Sequence, residues 1–221
     1  IKKGSTVAIV GSTGAGKTSI INLLNRFYEI DSGEISIDGI NIKDYKLSNL
    51  RKNIGIVLQD VFLFSDTIFN NITLKDESIS LNEVKLAAKQ IGVHDFIMSL
   101  PNNYYYNVKE RGIMLSSGQR QLIAFLRVYV SDPQILILDE ATSSIDSTSE
   151  VLIQNATEKL TKNRTSLIIA HRLATIKKAN NIIVMDSGNI IEQGSHKELI
   201  SNMDGYYKKL YDVQFQVKNV S

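Results

Sequence analysis

The stretch Gly11-Ser12-Thr13-Gly14-Ala15-Gly16-Lys17-Thr18 constrains this 221-residue chain more than any other feature. It matches the pattern Gly-x-x-x-x-Gly-Lys-Ser/Thr. Before it stands Thr6 to Val10, a short apolar β-prone run. After it Lys17 to Phe27 carries Ile20, Ile21, Leu23, Leu24 and Phe27 on or near one helical face. Glycines at these places let the backbone curl until successive N–H groups face one anion. The helix that follows adds the positive end of its dipole. Such a strand–loop–helix unit is a phosphate cradle. Lys17 is placed to reach the β and γ phosphates of a nucleotide, and Thr18 to offer its hydroxyl to Mg2+. A chance match in a Gly-rich turn would not require those flanking elements.

The rest of the chain alternates as that unit requires. Strands are expected at Ile54 to Leu58, Ile135 to Leu138, Ser166 to Ala170 and Ile182 to Met185. Helices are expected at Ser149 to Leu160 and Leu173 to Ala179, and the end of the chain is helical. Glu34 to Ile42, broken at Asp38-Gly39, predicts a small hairpin, and Asn189 to Glu192 a last hairpin arm. From about Thr67 to Val130 the pattern is helical, clearest in Leu81 to Ile91 and Gly118 to Val130. The expected fold is α/β: a P-loop core with a mostly parallel sheet covered on both faces, small antiparallel β elements and an inserted helical subdomain. Residues 1–60 and 131–221 are assigned to the core and about 61–130 to the insertion.

Composition removes other classes. A formal net charge of +2 gives no general polyanion-binding surface, so no nucleic-acid partner is expected. With no cysteine, a disulfide scaffold and a Cys-ligated zinc site are excluded. No run approaches the roughly 20 apolar residues of a membrane-spanning helix. The start, Ile-Lys-Lys-Gly, carries no signal peptide, and its lack of Met suggests a fragment.

Ile135 to Leu138 runs into Asp139-Glu140. Carboxylates at the carboxyl end of a parallel strand point into the usual ligand crevice. Asp139 suits a Mg2+ ligand. Glu140 is the candidate general base for a water attacking the γ phosphate. A strand ending in a solvated acidic turn is the alternative for this pair alone. Together with the cradle it indicates a nucleoside triphosphatase, which GTPases, helicases and kinases also are.

Leu115-Ser116-Ser117-Gly118-Gln119 narrows the class. It stands just before a helix and shortly before Asp139-Glu140. A Ser hydroxyl and Gly amides at a helix N-terminus form a second anion site, or simply a capped helix. In that place it resembles the Leu-Ser-Gly-Gly-Gln signature of the nucleotide-binding domains of ATP-binding cassette (ABC) transporters. The resemblance covers almost the whole chain. It implies ATP as nucleotide with Mg2+, and a head-to-tail pair with a second nucleotide-binding domain. In that pair Ser116, Gly118 and Gln119 close over the γ phosphate held by the other chain's Gly11–Thr18. It matches Gln59 to the glutamine that touches metal and water, Ser143-Ser144-Ile145-Asp146 to the loop speaking across the dimer, and His171 to the switch histidine. The implied catalytic group is Lys17, Gln59, Glu140 and His171, and the implied metal group is Thr18, Gln59 and Asp139.

Asp38-Gly39, Leu63-Phe64-Ser65-Asp66-Thr67-Ile68, Asn71-Ile72, Glu110-Arg111-Gly112 and His196-Lys197-Glu198-Leu199 are similar to exporter cassettes. The exporter resemblance implies transmembrane domains as partners, fused on the N-terminal side, and a place at the cytoplasmic face of the cell membrane. Ser117 replaces a signature glycine, and Lys109 stands where exporters usually carry Gly. The aromatic residue that stacks on adenine is expected upstream of Ile1. Two alternatives stay open: a soluble ABC ATPase of DNA repair or translation, and a non-hydrolysing half of a heterodimer. Absent coiled-coil heptads oppose the first, and intact Lys17, Asp139, Glu140 and His171 oppose the second.

Overall fold

The computed structural model of the protein describes residues 1–140 and 146–213. Strand β1 (Thr6–Gly11) leads into α1 (Lys17–Leu24). The hairpin follows as β2 (Ser36–Ile37) and β3 (Ile40–Asn41), and then come α2 (Leu47–Asn53) and β4 (Ile54–Val57). A helical stretch holds α3 (Ile68–Thr73), α4 (Leu81–Ile91), α5 (His94–Met98) and α6 (Ser117–Ser131). Strand β5 (Ile135–Asp139), α7 (Ser147–Thr161), β6 (Thr165–Ile169) and α8 (Leu173–Lys178) restore the alternation. The described chain closes with β7 (Asn181–Asp186), β8 (Asn189–Gly194), α9 (His196–Ser201) and α10 (Tyr206–Tyr211).

Six strands form one sheet in the order β4-β5-β6-β1-β7-β8. Strand β1 pairs in parallel with β6 and with β7, and β8 returns antiparallel to β7. The expected mostly parallel sheet is therefore present, with the two-stranded β2–β3 sheet beside it in the chain order. Val7, Ala8, Ile9 and Val10 are all buried, as a central strand covered on both faces demands.

The described residues divide into two compact units. One draws on 1–54, 137–140 and 164–213, and the other on 55–136 and 146–163. In the first, Arg51 on α2 donates to the carbonyls of Asn25 and Arg26, and Leu50 is buried. No helix was expected at α2, whose Leu-Ser-Asn-Leu-Arg-Lys-Asn has too few apolar positions for a clear period. In the second, Ser80–Glu83 and Ser116–Gln119 form reciprocal capping boxes that start α4 and α6. Helix α4 stops at Gly92, which adopts the left-handed conformation that ends many helices.

Candidate functional site

The cradle is built in the first unit. The Gly11 carbonyl and the Ser12 carbonyl accept from the Lys17 ammonium at 2.9 and 2.8 Å, so the side chain lies folded across its own loop. Lys17 is only 9% exposed. Burial lowers its pKa, and the nearby Asp139 carboxylate pulls the other way. Thr13, Gly14 and Thr18 are exposed and Ala15 is buried, so the outer surface of the loop is polar backbone and hydroxyl. Behind the loop the Gly188 N–H donates to the Ala15 carbonyl at 3.1 Å, which ties the loop to the β7–β8 turn.

Two buried carboxylates end β5. Asp139 is 8% exposed and Glu140 5%. The backbone N–H of Glu140 donates to the Ile169 carbonyl, and that of Ala170 to the Ile9 carbonyl. The ends of β5, β6 and β1 are thereby held together. Glu140 Oε1 accepts from Thr175 Oγ1 at 2.6 Å, and Oε2 from the backbone N–H groups of His171 and Arg172 at 3.3 Å each. Burial raises the Glu140 carboxyl above the ordinary carboxylate range, against the opposing pull of Thr175, Arg172 and the two amides. His171 is half-buried, and burial together with the Lys17 charge keeps its pKa below the usual histidine value. Both causes favour the neutral imidazole, which has one ring nitrogen able to accept and one able to donate. The other two histidines are engaged elsewhere, His94 with the Tyr104 hydroxyl and His196 with that of Tyr207.

These residues suit a triphosphate with Mg2+. A buried ammonium and a cluster of loop amides favour anionic oxygens, while two buried carboxylates favour a cation beside them. Among the described residues no three His, Cys, Asp or Glu side chains form a ready metal cage. Asp139 and the exposed hydroxyl of Thr18 are the oxygens this unit supplies.

The remaining candidates lie in the second unit or at its edge. Gln59 is exposed two residues past β4. Ser116 is exposed at the N-cap of α6, where its Oγ accepts from the Gln119 N–H at 3.2 Å. Gln119 Oε1 accepts in return from the Ser116 N–H at 3.0 Å. Gly118 is buried in the first turn. As an acceptor in the cap, Ser116 keeps its own O–H as a donor. Asp146 caps α7 through the Ser149 N–H at 2.8 Å. Ser143, Ser144 and Ile145 of the loop before it lie outside the described residues.

The sequence profile of the ABC transporter family matches residues 1–143. The chain belongs to that family. It is 51% identical over 214 residues to an ATP-binding/permease protein assigned to multidrug export in Staphylococcus aureus strain NCTC 8325, covering 97% of this chain and 37% of that protein. The counterpart in strain bovine RF122 is 50% identical over the same length. A bacterial Atm1-family ABC exporter solved with ATP bound superposes with a TM-score of 0.89 at 43% identity, over 97% of this chain and 37% of the exporter. The chain therefore spans 37% of the length of these exporters.

Within this ABC chain three contacts were not legible beforehand. Thr175 and Arg172 reach Glu140 only because α8 folds back over the end of β5. Gly188 supports the cradle across the sheet. No spacing rule signals them. Lys109 has φ 60° and ψ −174°, a conformation suited to glycine.

Proposed function

We propose that this chain is the ATP-binding and ATP-hydrolysing motor domain of an exporter. The observation that carries it is the set of buried Lys17, Asp139 and Glu140 with half-buried His171 beside a phosphate-cradling loop, in a member of the ABC transporter family that aligns with exporters. The Gly11–Thr18 amides and Lys17 bind the phosphates. Thr18, Asp139 and Gln59 are the residues that would hold Mg2+, which when bound offsets phosphate charge. Glu140 polarises the attacking water, and neutral His171 accepts a hydrogen bond and helps hold that water and the γ phosphate in line. Catalysis is positioning and electrostatics more than covalent chemistry. Ser116, Gly118 and Gln119 act on nucleotide held by a second copy or a related domain, and Asp146 belongs to the loop between them. Residues 1–60 and 131–221 form the catalytic core, and about 61–130 the helical subdomain.

Among the described residues no helix is long and apolar enough to cross a membrane. The names of the relatives join ATP-binding and permease functions in one protein. That supports fused transmembrane domains; we place them on the N-terminal side and this domain at the cytoplasmic face of the membrane. The second unit carries an open groove of about 760 Å³, lined by Leu58, Phe62, Phe64 and Leu74 with Asp66 and Lys75 at its side. All four apolar side chains are more than 40% exposed, which suits a docking surface for such a partner.

Light scattering on Glu140→Gln with and without Mg-ATP tests the proposal. Blocked hydrolysis should trap a closed pair: monomer mass without ATP, dimer mass with it, and monomer again when Ser116→Arg is added. A Glu140→Gln chain that binds ATP and keeps its monomer mass refutes the head-to-tail mechanism.

A further inference from the structure

The Glu140 carboxylate is held unevenly. Thr175 Oγ1 donates to Oε1 at 2.6 Å, inside the range of a charge-assisted O–H···O bond. The two amides that reach Oε2 stand at 3.3 Å, beyond the usual 2.9–3.0 Å of an N–H···O bond. One oxygen is gripped and the other is loosely held. A carboxylate that is to take a hydrogen bond from a reacting water needs this division, because a base works only when a third group fixes its orientation.

The fold makes that grip rigid. Thr175 lies in the first turn of α8, which opens directly after His171 and Arg172. The strand before it is pinned by the Ala170 N–H on the Ile9 carbonyl, and the Glu140 backbone is pinned by its own N–H on Ile169. Both ends of the Thr175–Glu140 bond therefore hang from fixed backbone. Thr175 is β-branched and half-buried, so its hydroxyl has few rotamers to sample. The segment that runs from His171 into the first turn of α8 thus also sets the direction of Glu140.

We propose that Thr175 is a positioning residue for ATP hydrolysis: it anchors Glu140 Oε1 so that Oε2 is presented to the attacking water. This rests on the role of Glu140 proposed above. The Thr175 hydroxyl is spent on Glu140 Oε1, so its loss should act on turnover and leave nucleotide binding alone.

The test uses the intact protein with Thr175→Val, Thr175→Ser and Glu140→Gln. Thr175→Val should lower kcat about tenfold, the scale of losing a supporting hydrogen bond behind a reacting group. KM, and the Kd for a fluorescent trinitrophenyl-ATP, should stay within about twofold, and Thr175→Ser should restore most of kcat. A second readout needs no turnover. In nucleotide-free protein Thr175→Val should lower the Tm, and should not lower it further once Glu140 is replaced by Ala. If Glu140→Gln turns over like the parent, the role of Glu140 itself falls. If Glu140→Gln is silent while Thr175→Val keeps more than half the parent kcat, the Thr175 inference alone is overturned. Loss of kcat that Thr175→Ser does not restore, or a Tm loss that persists without Glu140, overturns it as well.

Discussion

The cradle glycines are required for different reasons, and alanine substitutions should separate them. A Cβ added at Gly11 would overlap the Met185 carbonyl oxygen, stand 3.2 Å from the carbonyl carbon and 3.3 Å from the Ala15 Cβ. Those two atoms of Met185 are backbone, and Gly11 is its register partner across the parallel β1–β7 pair. No rotamer change can relieve the clash. The two strands must separate locally by about 1 Å to restore an ordinary C···O distance of about 3.3 Å. Overpacking of this kind costs about 3 kcal/mol, the upper end of the usual range. At roughly 2–4 °C per kcal/mol for a chain of this size, Gly11→Ala should lower the Tm by roughly 6–12 °C. At Gly14 a Cβ meets nothing within 4 Å, and only the positive φ of 83° opposes alanine. That costs about 1 kcal/mol, or roughly 2–4 °C. Thermal unfolding followed by far-UV circular dichroism reads both. Equal losses for the two variants, or no loss for Gly11→Ala, would refute the steric origin. Fluorescent ATP binding should weaken in both, because each displaces the amides that face the phosphates.

Four further outcomes are expected. Lys17→Ala removes one of the two causes that depress His171, so its pKa should rise toward 6.5 while burial still holds it below; NMR titration of the imidazole protons measures this. Lys109→Gly relieves a backbone held at φ 60°, ψ −174° and should raise stability by about 1 kcal/mol in urea unfolding, whereas Lys109→Ala should not. Asn71 is fully buried, accepts from the Phe64 N–H at 2.8 Å and donates to the carbonyls of Phe64 and Thr67. Asn71→Ala strands these groups and should cost about 3 kcal/mol, read as a fall in Tm. Asp66, kept below the usual carboxylate range by Asn70, the Thr67 amide and Lys75, should contribute stability above its unfolded pKa. That contribution should be lost as pH falls through the lower folded value, and an Asp66→Asn chain should lack this acid-side dependence.

The strand–loop–helix that opens the chain, the β5 carboxylates and the helix start at Ser116 could be read directly because each is local. A turn, a cap or an apolar run is specified by residues within a few positions of one another, so composition and spacing suffice. For the same reason the helix Leu81 to Ile91 was expected at its observed bounds. α2 was not legible, because its stability comes from the buried Leu50 and from Arg51 bonding to Asn25 and Arg26, not from its own seven residues. Nor was the setting of the site. That Glu140 faces Thr175, that Lys17 depresses His171 and that Gly11 lies against Met185 all depend on which strands neighbour one another. The order β6-β1-β7 brings distant segments of chain side by side. Residue types and their spacing named the chemistry. Folding supplied its electrostatics, since burial, orientation and the charge next door exist only once the sheet has closed.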